Sequence, residues 1–306
     1  MDELYQLIIV GGGPAGLSAG LYAARSRLHS LLIEKALLGG QIVNAETVEN
    51  YPGFPEGISG VDLVSLMEKQ ALKYGLETAI ADVQRLEIRG DERILVTSEG
   101  EYRARVIIIA GGAEHSKLGV PGEEELRGKG VSYCATCDGA FFRDRAVGVV
   151  GGGNVALNDA LFLTRFASKV SVIHRRDELR ATKILQEKAF AQPGIEFVWD
   201  TVVEAIEGDS QVRQMRLRNV KTGEKSGMEV GGVFVAVGVR PNTGYLQGVL
   251  DLTPEGAIKV NERMETGIAG VFAAGDIRAG SPRQVVCAAG DGAAAVMSAE
   301  RYFSSA

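Results

Sequence analysis

Apolar positions along this chain fall in short runs that end in glycine clusters. Leu7-Ile8-Ile9-Val10 runs into Gly11-Gly12-Gly13-Pro14-Ala15-Gly16. Leu17 and Leu21 follow at helical spacing, and then a second apolar run, Leu31-Leu32-Ile33. The same order returns 140 residues later. Val147-Gly148-Val149-Val150 leads into Gly151-Gly152-Gly153-Asn154-Val155-Ala156, then Leu157 and Leu161, then Val170-Ser171-Val172-Ile173. Each copy predicts strand, tight turn, helix, strand. The chain is therefore expected to be α/β, with two Rossmann-like dinucleotide-binding domains. Val106–Ile109 and Val233–Val237 predict further strands that run into glycine-bearing crossovers, and the alanine-rich stretch 283–303 predicts a helix.

The glycines have separate tasks. Gly11 and Gly151 permit the sharp turn out of the strand. Gly13 and Gly153 let backbone come close to a pyrophosphate, while Gly16 and Ala156 let the helix pack against the sheet. Pro14 with Ala15, and Asn154 with Val155, open the two helices, whose free N–H groups and dipole favour phosphate. The copies then differ. The first ends its second strand on Glu34, which can accept hydrogen bonds from ribose hydroxyls. The second reaches His174 at that offset, then Arg175, Arg176 and Arg180. A carboxylate repels a 2′-phosphate and clustered guanidiniums bind it. The first site is expected to hold FAD and the second NADPH. A solvated basic face, balanced by Asp177 and Glu178, is the plainer account of the arginines.

Composition narrows the classes. The chain has 306 residues, a length that suggests two domains. Glycine is high, at 40 residues, but without a three-residue period, so the excess belongs to turns. A net charge of −6 argues against nucleic acid and anionic membranes as partners. The acidic start and the lack of an apolar run near 20 residues predict a cytoplasmic protein. Three cysteines, Cys134, Cys137 and Cys287, are not a disulfide framework.

Cys134-Ala135-Thr136-Cys137-Asp138 has the spacing of a redox pair beside a βαβ unit. Both sulfurs would sit at the start of a helical turn, where N–H groups favour a thiolate. Asp138 is a candidate acid/base for the leaving sulfur. Half a zinc site and two inert buried thiols are the alternatives. The first lacks partners, because Cys287, His29, His115 and His174 have no paired spacing. Cys287 alone reads as a small buried hydrophobe.

These segments, with Gly39-Gly40-Gln41, Val48-Glu49-Asn50-Tyr51-Pro52-Gly53, Gly275-Asp276 and Arg283-Gln284, resemble the bacterial-type low-molecular-weight thioredoxin reductases over the whole chain. The resemblance implies Cys134 and Cys137 as the redox disulfide and Asp138 as its acid/base. Cys137 would face the flavin and Cys134 would attack the partner. It places Gly40, Gln41, Asn50, Asp276, Arg283, Gln284 and Val285 along FAD. It implies an FAD domain split into 1–113 and 246–306, an inserted NADPH domain at 117–243, rotation about the links, and a homodimer acting on thioredoxin or a thioredoxin-like protein. Ala140 precedes Phe141 and Phe142, where the family commonly has aromatics directly after the glycine that hold thioredoxin; simple core is the other account of this pair. A dithiol oxidase and a ferredoxin-driven reductase share this scaffold, but neither needs the arginines. A flavin- and nucleotide-binding sensor without turnover would leave the cysteine pair unexplained.

Overall fold

The Leu7–Val10 run is continuous because both of its faces are covered. In the computed structural model, which describes residues 3–45 and 47–305, the strand Leu4–Val10 lies parallel between Ser30–Glu34 and Gly100–Ile109. Leu7 and Ile9 point to one side, packed with Leu17, Ala295 and Val296. Ile8 and Val10 point to the other, with Leu246 and Ile258. A parallel sheet buried on two faces gives such runs in place of alternation. Glu77–Ile80 and Val271–Ala273 add parallel strands. Val83–Arg89 and Glu92–Thr97 add an antiparallel meander, completing seven strands.

The second copy builds a five-stranded parallel sheet in the order Ile195–Val198, Lys169–Ile173, Ala146–Val150, Gly232–Val235, Val131–Ser132. A three-stranded antiparallel sheet, Thr201–Gly208, Val212–Asn219 and Lys225–Glu229, packs on it through Met215 and Val203. The repeat extends to single hydrogen bonds. Gly11 N–H donates to the Ile33 carbonyl at 2.8 Å, and Gly151 N–H to the Ile173 carbonyl at 3.1 Å. Both glycines have positive φ, 107° and 156°.

The chain divides into two compact units, Met1–Glu114 with Arg240–Ala306, and His115–Val239. The return crossing comes earlier than residue 243 because residues after it are already tied to the first unit. Asn242 donates through N–H to the Gly112 carbonyl and through Nδ2 to the Gly111 carbonyl, and Leu246 is in that unit's core. The last helix, Val285–Ser305, starts two residues later than the alanine pattern suggests. Arg283 is the reason: its φ of 56° lies in the left-handed region.

That helix crosses Pro14–Arg25 closely, and one glycine makes the crossing possible. A Cβ on Gly292 would lie 2.1 Å from the Ala15 carbonyl oxygen, whereas one on Gly290 meets nothing within 4 Å. Gly292→Ala is expected to lower stability by about 1–3 kcal/mol through forced separation of the helices. Gly290→Ala should be neutral or stabilising by up to about 1 kcal/mol, as for Gly to Ala in an open helix. Denaturant unfolding of the pair measures the difference.

Candidate functional site

The redox segment starts where Val131–Ser132 ends. Cys134 takes the position before the short helix Ala135–Asp138, in extended conformation, and is joined to Cys137 in a disulfide with Cα atoms 5.3 Å apart. Cys134 is half-buried and Cys137 exposed. The helix folds Asp138 back onto the segment's start. Asp138 N–H donates to the Cys134 carbonyl at 3.1 Å, and the Ser132 hydroxyl donates to Asp138 Oδ2 at 2.6 Å. The same hydroxyl accepts Cys134 N–H at 3.0 Å. Burial raises the Asp138 carboxyl above its ordinary range, while the Ser132 hydrogen bond opposes the rise. A carboxyl held toward its neutral form beside a disulfide is a proton donor in waiting. Ser132 was not legible from sequence; its only signal is a small hydroxyl two residues before the first cysteine.

In the same unit the second fingerprint helix, Asn154–Leu163, begins at Gly153 with no side chain capping its first turn. A Cβ on Gly153 would meet nothing within 4 Å, so backbone there faces open space. Val155 is exposed and Ala156 fully buried against the sheet. The arginine loop is bound to this turn. Arg180 N–H and Ala181 N–H both donate to the Gly152 carbonyl, at 2.7 and 3.2 Å, and Asn154 Oδ1 accepts Thr182 N–H at 2.8 Å. Arg175, Arg176 and Arg180 line a cleft of about 360 Å³. His174 is placed differently. Its ring is buried against Gly152, edge-on to Trp199, with Nε2 3.0 Å from the Glu178 carbonyl oxygen. Burial lowers its pKa, with the neighbouring arginines adding to the effect, so the ring is neutral and acts as a wedge under the cleft. A second carboxyl that sequence reading passed over, Asp159, is raised to about 7 by burial alone.

The other unit gathers its own set of predicted residues. Its fingerprint helix, Pro14–Arg25, also begins uncapped, at Gly13. Gly16 sits so close to the turn that a Cβ would fall 1.8 Å from the Gly11 carbonyl oxygen. Glu34 Oε2 accepts Gly12 N–H at 2.7 Å, which leaves lone pairs on the carboxylate for other donors. Gly39 N–H donates to the Gly12 carbonyl at 2.8 Å, bringing Gly40 and Gln41, the start of the 3₁₀ turn Gly40–Asn44, to the fingerprint. A Cβ on Gly40 would lie 3.2 Å from Gly13 Cα. Asn50 Nδ2 donates to Gln284 Oε1 at 3.2 Å, although 234 residues separate them. Asp276 follows the strand Val271–Ala273 and accepts the Ser281 hydroxyl at 2.9 Å; burial raises its carboxyl. Arg283 N–H donates to that same hydroxyl, and Val285 starts the last helix.

Sequence reading missed the pair beneath Asp276. Arg278 and Asp291, both largely buried, form a two-pronged ion pair at 2.6 and 2.9 Å, and Asp291 also accepts Gly275 N–H. The pair ties the strand end to the last helix. Phe141 and Phe142 separate: Phe142 is 6% exposed and lies edge-on to Phe234, while Phe141 is 46% exposed. Cys287 is half-buried, less enclosed than a core hydrophobe, because it lies off the helix stripe that buries Ala288, Asp291 and Ala295. Among the described residues no three His, Cys, Asp or Glu side chains gather as a metal site, and no helix is long and apolar enough to cross a membrane.

This arrangement has close relatives. The chain is 46% identical over 302 residues to the thioredoxin reductase of Bacillus subtilis, covering 98% of this chain and 95% of that one. It is 48% identical over 303 residues to the thioredoxin reductase of Listeria innocua, covering 98% and 94%. The crystal structure of thioredoxin reductase from Streptococcus pyogenes matches at 45% identity with a TM-score of 0.96, covering all of both chains. The pyridine nucleotide-disulphide oxidoreductase family model matches residues 5–292. With two fingerprint turns, a disulfide and this extent of likeness, the chain belongs to the pyridine nucleotide-disulphide oxidoreductase family.

Proposed function

We infer that this protein is a thioredoxin-disulfide reductase that takes electrons from NADPH through FAD. One observation carries the reading. The chain is 45–48% identical to thioredoxin reductases over nearly its whole length and holds the Cys134–Cys137 disulfide. The residues fit both nucleotides. In each unit a helix starts uncapped beside glycines that leave room for a pyrophosphate. FAD is assigned to the first unit through Gly11, Gly13, Pro14, Ala15, Gly16, Glu34, Gly40, Gln41, Asn50, Asp276, Arg283, Gln284 and Val285. NADPH is assigned to the second through Gly151, Gly153, Asn154, Val155, Ala156 and the guanidiniums of Arg175, Arg176 and Arg180. His174 supports that site from below. A dithiol oxidase or ferredoxin-driven enzyme would have no use for three guanidiniums on one cleft.

When bound, the two nucleotides supply an electron pair to the disulfide. The chain's residues handle the sulfur and the proton. The pair breaks the Cys134–Cys137 bond, and Asp138, kept toward its protonated form by burial, gives a proton to the sulfur that leaves. Cys134 returns that proton to Asp138 and attacks the partner disulfide as a thiolate, the Cys137 thiolate closes the ring again, and the partner's two sulfurs leave as a dithiol with one proton from Asp138 and one from water. Exposed Phe141, three residues beyond Asp138, offers a contact for thioredoxin. The homodimer and the cytoplasmic setting are proposed from the resemblance.

The proton step has a signed pH dependence. The Ser132 hydroxyl donates to the charged form of Asp138 and so lowers its pKa. Ser132→Ala removes that support, and the Asp138 pKa rises. The rate of disulfide reduction, followed by stopped flow, should therefore persist to higher pH before falling, and Ser132→Thr should keep the wild-type profile. A leftward shift would count against Asp138 as donor.

Steady-state oxidation of NADPH and NADH, each with and without thioredoxin, tests the whole reading. Fast oxidation is expected only with NADPH and thioredoxin together. Cys137→Ser should still bleach the flavin with NADPH but turn over no disulfide. Full turnover by that variant, or equal use of NADH, would overturn the assignment.

A further inference from the structure

Two carboxylates beside the arginine cleft are already taken by a fourth cation. Lys221 Nζ lies 2.6 Å from Asp177 Oδ2 and 3.0 Å from Asp200 Oδ2. The three groups come from separate places. Asp177 is on the loop after Lys169–Ile173, Asp200 joins Ile195–Val198 to Thr201–Gly208, and Lys221 is in the turn before Lys225–Glu229. Lys221 and Asp200 are held through their backbone groups. Asn219 Oδ1 accepts the N–H groups of Lys221 and Thr222 at 2.9 and 3.0 Å. Val220 N–H donates to the Asp200 carbonyl at 2.6 Å, and Asp200 N–H to the Arg176 carbonyl at 3.2 Å. The lysine therefore reaches the arginine loop from a fixed point.

The charges around the cleft explain why this matters. Arg175, Arg176, Arg180 and Lys221 stand against Asp177, Asp200 and Glu178. Without the lysine the cations and carboxylates balance, and a dianion has no net attraction. The local effect is larger than the count. Among the described residues the three arginines make no ion pair, so their N–H forks are open to a phosphate. A released Asp177 or Asp200 would compete for those forks or repel the anion. Asp200 is the more exacting of the two, because its side chain is 16% exposed against 65% for Asp177, and water replaces a lost partner poorly there. Lys221 also holds the Asp177 carboxyl below its usual range.

We propose that Lys221 is a specificity-determining positioning residue: by occupying Asp177 and Asp200 it keeps the three guanidiniums unpaired for the 2′-phosphate of the nicotinamide nucleotide. This rests on the assignment of NADPH to the arginine cleft. The lysine acts through the carboxylates and is not itself the phosphate ligand, which separates this role from that of the arginines.

The test is calorimetric titration of the flavin-loaded protein with adenosine 2′,5′-bisphosphate and with AMP, at low and at moderate salt. Trp199, the chain's sole tryptophan and the neighbour of Asp200, gives a second readout by its emission. Lys221→Gln should weaken the bisphosphate roughly two- to fivefold at low salt, the scale of one exposed charge pair, and less as salt screens it. AMP should change by less than about twofold. Lys221→Arg, which preserves both pairs, should bind as wild type. The combination Lys221→Gln, Asp177→Asn, Asp200→Asn should recover the lost affinity; asparagine suits the φ of 52° at position 200. A triple variant that stays weak makes Lys221 a direct phosphate ligand and overturns the proposal. So does an unchanged Lys221→Gln when Arg180→Gln is weakened. If Arg180→Gln also binds the bisphosphate as wild type, the assignment of NADPH to the cleft fails, and the proposal fails with it.

Discussion

Backbone must come within contact distance of backbone at two turns, and the rest of the molecule is arranged around that requirement. Gly16 stands where any Cβ would strike the Gly11 carbonyl, and Gly151 turns with a φ that side chains rarely adopt. The result is a helix whose first turn points uncapped N–H groups away from the strand end. Those groups are a fixed partial positive charge of the kind that favours an anion. The neighbouring loops are positioned relative to this point. Gly39 bonds to Gly12 in one unit, and Arg180 and Ala181 bond to Gly152 in the other. What differs between the units is therefore the second ring of residues, carboxylate in one and guanidinium in the other.

The repeat, the fingerprint turns and the redox pair were readable because each is local. A strand, a glycine turn and a helix follow one another without interruption from Leu4 to Arg25 and from Ala146 to Leu163, and Cys134 and Cys137 share one helical turn. What was not readable is what the fold brings together from afar. Arg278 with Asp291, Asn50 with Gln284, and Lys221 with Asp177 and Asp200 carry no periodic signal. His174 shows the limit of reasoning by offset. It occupies the place of Glu34 in the repeat, yet its ring goes under the glycine turn because Gly152 leaves a space that the imidazole fills. The last helix starts later than its alanine pattern for a similar reason: Arg283 suits a helix by composition, but its left-handed backbone does not.

The redox segment is economical in another sense. One serine hydroxyl fixes the N–H of the first cysteine and also sets the proton affinity of the carboxyl beside the second. The position of the Cys134 backbone and the charge state of Asp138 are thus linked through a single side chain.

The interrupted order of the first unit has a consequence for how the protein is made. The strand Val271–Ala273 completes a sheet begun by Leu4–Val10 and the helix Val285–Ser305 covers one of its faces, but both leave the ribosome after the whole of His115–Val239. At ~5–20 residues per second, the opening segment waits roughly 10–40 s for its last helix. During that time Ile107 and Ile109 lack the strand that covers one edge, and Leu17 lacks Val296. The inserted unit is continuous in sequence and has no such wait. Synthesis thus gives the second unit a head start and leaves the first as the stretch in need of protection from aggregation.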